Sequence, residues 1–220
     1  MPRILFEKKG NAVWISHLDL MRLFQRTFKR AGLPLTHTQG FNPRPSVSIA
    51  LPLSVGVESC CELLDFELDG EEVDGQIICG RLNAYLVPGI RVLNVYDNGQ
   101  KIKNLALLDT LVTLEYDNGV PAYAVSRMQE LFSREEVLVE KKSKSNGIQD
   151  QNIIPMIKSM EITQTGAQTV VLKARVCCQN PTLNPMQLHA AIVRHLPELA
   201  PDFAKCARLE IYDNEGNIFR

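Results

Sequence analysis

Residues Arg3 to Lys9, centred on the apolar run Ile4-Leu5-Phe6, read as a strand, and Ala12 to Ile15 reads as its extension or partner through a turn at Gly10-Asn11. Ser16-His17-Leu18-Asp19 has the form of a capping box, in which the Ser16 hydroxyl and the Asp19 carboxylate satisfy free N–H groups at a helix start. The helix runs to about Ala31 and stops at Gly32 and Pro34. At 100° per residue its apolar face is Leu20, Leu23, Phe24, Thr27, Phe28 and Ala31, while Arg22, Arg26, Lys29 and Arg30 form a stripe on the other face. A short extended piece, Leu35 to Thr38, leads into Gly40-Phe41-Asn42-Pro43-Arg44-Pro45, which neither a helix nor a central strand accommodates and which is therefore a rigid loop. Ser46 to Leu53 and Glu62 to Leu68 read as strands, Val73 to Leu86 as a helix ended by Pro88-Gly89, and Ile90 to Tyr96 as a closing strand.

The second half repeats this order. Leu107 to Tyr116 is a strand, Pro121 to Phe132 a helix with proline in its first turn, and Val137 to Lys142 a strand. After a polar loop over Ser143 to Asn152, Met160 to Gln164 and Val170 to Cys178 pair as strands. Asn184-Pro185 opens a last helix that reaches His195 or Leu196, and Arg208 to Tyr212 closes the sheet. The expected fold is α+β: two tandem ferredoxin-like βαββαβ halves over 1–100 and 101–220, with mostly antiparallel sheets and helices on one face.

Composition narrows the class. Apolar residues make up 45% of the 220-residue chain and charged residues 22%, so large-scale disorder is excluded. There is no apolar run long enough to span a bilayer, and the first residues meet charge too soon for a signal peptide; a cytoplasmic protein without membrane contact is expected. The six cysteines fall as Cys60-Cys61, Cys177-Cys178, Cys79 and Cys206, with no C-x-x-C and no three-cysteine cradle for an iron–sulfur cluster. Reduced packing thiols, and neither metal nor cofactor, are expected.

The net charge of −1 conceals an asymmetry. Residues 1–48 hold eight Lys/Arg against Glu7 and Asp19, whereas residues 49–98 hold nine acids, among them Glu58, Glu62, Asp65, Glu67 and Asp69, against Arg81 and Arg91. One basic surface suited to an anion or nucleic acid and one acidic surface, solvated or facing a partner, follow from this, unless the two face each other.

The candidate nucleic-acid-binding residues are Arg22, Arg26, Lys29, Arg30, Gly40, Phe41, Asn42 and Arg44. Gly40 lets backbone N–H groups approach a phosphate, and Arg44, held between two prolines, presents its guanidinium with little entropy left to lose. A stiff connector carrying a solvated arginine is the alternative. His17 and His37 flank the first helix and are candidate acid–base groups for metal-independent RNA cleavage, in which the 2′-hydroxyl attacks. His189 and His195 read as ordinary helix residues, the acids of 58–74 as a solvated strand edge, and Lys141-Lys142-Ser143-Lys144 as a basic loop. Hydrolase, metalloprotease and P-loop signatures are absent.

Ile15-Ser16-His17-Leu18-Asp19 with Arg22 and Arg26, then Gln39 to Pro45, then Ala50-Leu51-Pro52-Leu53-Ser54-Val55-Gly56-Val57-Glu58-Ser59 closely resemble the radical-SAM-linked protein family of unknown function. The sharp motifs lie in residues 14–59; weaker matches are Ile154-Pro155 with Ile157, and Leu183-Asn184-Pro185. In that family the domain stands alone or is joined to a radical-SAM protein, often beside genes for RNA processing. The resemblance implies a non-catalytic accessory protein of a radical-SAM enzyme that binds RNA or presents a substrate, with any radical chemistry in the partner. A tandem ferredoxin-like endoribonuclease and a pure protein-docking module acting through the acidic 58–74 surface are the competing functions. The tandem plan also looks like that of the CRISPR repeat-processing ribonucleases and, more distantly, the tRNA pseudouridine synthases, an analogy of fold alone.

Overall fold

A computed structural model describes residues 1–70, 72–143 and 147–220. The chain divides into two units, Met1–Asn104 together with Ile218–Arg220, and Leu105–Asn217, so the last three residues belong with the first unit.

In the first unit the order is β1 (Arg3–Lys8), α1 (His17–Arg30), β2 (Val47–Ile49), β3 (Val57–Phe66), α2 (Gly75–Asn83) and β4 (Ile90–Tyr96). The strands lie β4-β1-β3-β2 with every pair antiparallel, so β3 is inserted between β1 and β2 in the manner of a split β-α-β unit. Both helices cover one face. Leu20, Phe24 and Phe28 of α1 and Ile78 and Leu82 of α2 form one core with Ile4, Phe6, Leu64 and Phe66 of the sheet. Phe6 and Phe24 meet edge to face at 4.8 Å, and Phe28 lies 5.1 Å from Phe66. The outer edge of β4 is blunted by the Asn83 amide, which donates to Val92 O and accepts from Val92 N, both at 2.9 Å.

The second unit holds β5 (Leu105–Glu115), α3 (Ala124–Phe132), β6 (Leu138–Ser143), β7 (Gly147–Asn152), β8 (Ile157–Gln164), β9 (Thr169–Cys177), α4 (Met186–His195) and β10 (Phe203–Asp213). Its main sheet, β10-β5-β9-β8, is again antiparallel throughout and has the same first-strand-beside-third arrangement, while β6 and β7 form a separate hairpin. Alternation sets the faces: Leu108, Val112, Leu114, Val170, Leu172 and Val176 are buried, whereas Asp109, Lys173 and Arg175 point the other way.

Several boundaries differ from the pattern-based reading. Residues Gly10–Trp14 form a 3₁₀ turn rather than more strand, because Ala12 N–H returns to Lys9 O and Ile15 N–H to Ala12 O. Only Val47–Ile49 of the expected Ser46–Leu53 strand enters the sheet, and β3 begins at Val57, directly after the Gly56 turn. Helix α2 starts only at Gly75, where Asp74 Oδ1 accepts from the N–H groups of Gln76 and Ile77. The polar stretch expected to be a loop contains β7, which pairs with β6 along its length. Ladder hydrogen bonds and the Asn152 Oδ1 contacts to Val137 and Ile154 N–H stabilise this strand without an apolar pattern. Lys141 and Lys142 therefore lie in a strand; Lys144 of the expected basic loop lies outside the described residues.

On the other face of the second unit's sheet, Arg175 donates twice to Asp109, at 2.7 and 2.9 Å, and its guanidinium sits 4.0 Å from the Tyr212 ring. The Tyr212 hydroxyl adds a third hydrogen bond to Asp109 at 2.8 Å. The hydrogen bonds from Arg175 hold the Asp109 carboxyl below the usual carboxylate range. Folding thus keeps this group deprotonated at pH values where the unfolded chain binds a proton. Its contribution is complete above about pH 4 and is lost as pH falls through the folded value. Asp109→Asn is expected to lower stability at neutral pH by about 1–3 kcal/mol, since it turns a bidentate charged pair into neutral contacts. Urea melts at several acidic pH values check this: the difference between variant and parent should shrink as the pH drops, and an undiminished gap would contradict it.

Candidate nucleic-acid interface

Helix α1 begins where the sequence places its cap. The Ser16 hydroxyl accepts from Asp19 N–H at 3.2 Å and donates to Asp19 Oδ2 at 2.7 Å. The Asp19 carboxylate does not reach a backbone N–H as a full capping box requires; Oδ1 instead takes the Arg22 guanidinium at 3.0 Å. These contacts, the serine's first, draw the Asp19 carboxyl below its ordinary range. Arg22, Arg26, Lys29 and Arg30 are all exposed, and spacings of three and four residues put them on one ridge.

Past the end of α1 the chain forms a two-stranded finger. Ser46 N–H donates to Thr36 O at 2.8 Å and Thr38 N–H to Arg44 O at 2.9 Å, while Arg44 N–H reaches the Thr38 hydroxyl at 3.0 Å. The finger is rooted on the end of β3, through Thr36 N–H to Glu67 O and Glu67 N–H to Ser46 O. Gly40, Phe41, Asn42 and Pro43 form its tip, Gly40 with a φ of +130° that favours glycine, and Phe41 is fully exposed. The expected rigid loop is thus a pinned hairpin at the C-terminal end of α1, close in the chain to Lys29 and Arg30. Arg44 stands at its base, exposed.

His17 and His37 are not brought together. His17 is the first residue of α1 and His37 lies in the finger beyond its other end, so the helix length of about 20 Å separates them. His17 Nδ1 is buried without a hydrogen-bond partner, and His37 is exposed. In the second unit His195 bonds Leu138 O through Nε2 at 2.8 Å, and half-burial pushes the His189 pKa down.

The acidic run is not one solvated edge. Glu62 is only 1% exposed on the core side of β3, and Asp65 pairs with the buried Arg3. Lys8, also 1% exposed, lies close enough for the Glu62 charge to act on it, and Lys8 Nζ donates to the carbonyls of Val13 at 3.2 Å and Ile15 at 2.8 Å. Desolvation lowers the Lys8 pKa, and Glu62 opposes that fall. Glu58, Glu67 and Asp69 are exposed; Glu71 lies outside the described residues. An open groove of about 940 Å³ between the ends of β3 and β4 and the start of α2 collects Glu67, Glu72, Asp74 and Asp97 above Phe66, Val73 and Val95. Among the described residues no group of three His, Cys, Asp or Glu is arranged to hold a metal ion, and no helix is long and apolar enough to cross a membrane. All six cysteines are free thiols.

Pattern reading missed the burial of Lys8 and Glu62, the Asp109–Arg175–Tyr212 cluster and the exposure of Trp14. A lysine directly after an apolar strand, followed by a glycine turn, is the one local sign of the first; the second joins three distant strands and has none.

The family model described as "Uncharacterized protein conserved in bacteria (DUF2344)" matches residues 2–185. No curated protein matches the chain. Among solved structures, a chain of the crystal structure of a Cbf5-Nop10-Gar1 complex superposes with a TM-score of 0.52 at 9% identity, covering 96% of this chain and 48% of that one. A chain of the archaeal box H/ACA sRNP Nop10-Cbf5 complex gives 0.47 at 9%, with coverages of 94% and 46%, and an unknown protein from Galdieria sulphuraria 0.27 at 11%, with 94% and 96%. This chain spans about half the length of the first two. At such identities the first likeness is one of fold, and it agrees with the mixed, mostly antiparallel α+β architecture.

Proposed function

We propose that this chain, which belongs to the bacterial family whose model spans residues 2–185, is a non-catalytic accessory protein that binds RNA through α1 and the adjoining hairpin. The observation that carries this reading is the ridge of Arg22, Arg26, Lys29 and Arg30, exposed on a rigid helix and followed by a pinned loop with Arg44 at its base and Phe41 at its tip. Only Arg22 on this ridge has an ion-pair partner among the described residues, the exposed Asp19. The others are available for phosphates at little desolvation cost, and a preorganised arginine fork suits a phosphate's paired oxygens. The resemblance of residues 14–59 to the radical-SAM-linked proteins supports a radical-SAM protein as the partner that this subunit serves.

A filter-binding titration with RNA at several salt concentrations tests the reading. Five phosphate contacts predict a slope of log K against log salt of about −3.5 for a single strand, a roughly hundredfold loss of affinity between 50 and 200 mM salt. Absence of salt-dependent binding, alone and with the partner present, refutes it.

Protein docking is a second reading, favoured by the open acidic groove. In that case Glu67→Lys with Glu72→Lys should abolish capture of the radical-SAM partner in a pull-down. The buried Glu62 is unsuitable for such a test. Cleavage by paired histidines finds no support in the separation of His17 and His37.

A further inference from the structure

Trp14 is the chain's one tryptophan and is 67% exposed. Its position is held from several sides. The buried Lys8 ammonium grips the carbonyls on either side of it, at Val13 and Ile15, and Gly56 N–H donates to Val13 O at 2.9 Å. One part of the indole lies against Gly56, where an added Cβ would stand 3.5 Å from Cζ3; Gly56 itself takes a φ of +83°. The chain thus spends a buried charge and a glycine turn on fixing a large aromatic ring that stays mostly in solvent. Isolated exposed apolar residues need no explanation, but a braced one does.

What lies beside it identifies the ligand. Leu18, 66% exposed, follows in the first turn of α1, and Leu18, Arg22, Arg26 and Arg30 recur every fourth residue along the ridge. Exposed Trp14 thus stands just before the N-terminal end of the ridge and the finger with exposed Phe41 follows its C-terminal end, the helix that carries the cations between them being about 20 Å long. A duplex keeps its base faces stacked inside and presents phosphates alone. A single strand presents both phosphates and free π-faces, which is the chemistry of this series. An apolar pocket on a protein would use Trp14, Leu18 and Val55 but leave the arginines without a role.

We propose that Trp14 is a base-stacking residue and that the ligand of this surface is single-stranded RNA, its backbone following Arg22, Arg26 and Arg30. This rests on the RNA-binding reading above and adds to it the strandedness of the ligand and a contact residue at the far end of the ridge.

Because the chain has a single tryptophan, its fluorescence reports the contact directly. The probe is an unstructured twelve-nucleotide RNA, compared with the blunt duplex it forms with its complement, titrated into the full chain and into Trp14→Ala and Trp14→Phe. The single strand is expected to quench the parent's fluorescence. Trp14→Ala should weaken single-strand binding by about 5- to 150-fold with the salt slope unchanged, Trp14→Phe should recover most of the loss, and duplex binding should be weaker and indifferent to either change. Salt-dependent single-strand binding without quenching, and undiminished in Trp14→Ala, overturns the stacking role while leaving the RNA-binding reading in place. Duplex binding as tight as single-strand binding overturns the assignment of the ligand. Failure of both probes to bind with any salt dependence instead removes the reading on which the inference rests. Capture of a protein through Trp14 with no RNA binding does the same.

Discussion

Lys8→Ala is expected to destabilise the first unit by about 3–5 kcal/mol, the loss of two hydrogen bonds from a buried charged donor, and a large share of the 5–15 kcal/mol that separates a typical folded domain from its unfolded chain. The ammonium sits at the end of β1, 1% exposed, and meets two demands at once. It donates to the carbonyls of Val13 and Ile15, which are otherwise left without that donor, and it supplies positive charge beside the buried Glu62. Removing the ammonium leaves two carbonyls without that donor and takes away positive charge that acts on the nearby Glu62. Urea melts followed by circular dichroism give the magnitude. Glu62→Gln supplies the second arm of a double-mutant cycle: the two costs should fall short of additivity, with a coupling of at least about 1 kcal/mol, because a neutral glutamine no longer needs the lysine. Strict additivity would show that Lys8 acts only through the two carbonyls. The same variant loosens the frame around Trp14, so its RNA affinity should fall even where the protein remains folded.

Neutralising the ridge is the second large effect. With Arg22, Arg26, Lys29 and Arg30 all changed to glutamine, RNA affinity at moderate salt should drop about 30- to 1000-fold, on the basis of roughly 0.5–1 kcal/mol for each exposed ionic contact. The salt slope should flatten from about −3.5 to about −0.7, the value for Arg44 alone on a single strand. Stability should change little. All four side chains are exposed and glutamine is a good helix former, although losing Lys29 and Arg30 from the last turn removes a few tenths of a kcal/mol of helix-dipole interaction. An affinity within threefold of the parent and an unchanged slope would show that phosphates do not lie on this ridge.

Much of the candidate interface was legible because its parts are local. The amphipathic period of residues 17–30 fixes which side chains face the core, and Leu20, Phe24, Thr27 and Phe28 are indeed the buried ones. Ser16 and Asp19 mark the helix start through contacts three residues long, and the Gly-Pro chemistry of 40–45 excludes helix and strand alike. Less local features were misread. The strand β7 carries polar residues whose fate depends on the partner strand β6, so no periodicity announces it. Glu62 looked solvated because strand alternation alone does not say which face of the strand lies on the core.

The two histidines carry the same lesson. They are close in sequence on the scale of the chain, yet a helix is a rod that rises about 1.5 Å per residue, and it sets His17 and His37 at opposite ends of the unit. Sequence by itself determined most of the elements and their order, the basic face of α1 and the turn chemistry of the finger, since each depends on residues a few positions apart. Only the tertiary structure decided that Lys8 braces the Trp14 turn, that Arg175 joins Asp109 and Tyr212, and that the acids of β3 divide between core and solvent. Those outcomes depend on which strands lie side by side and what their side chains lose in leaving water, and neither is written in the spacing of residues along one segment.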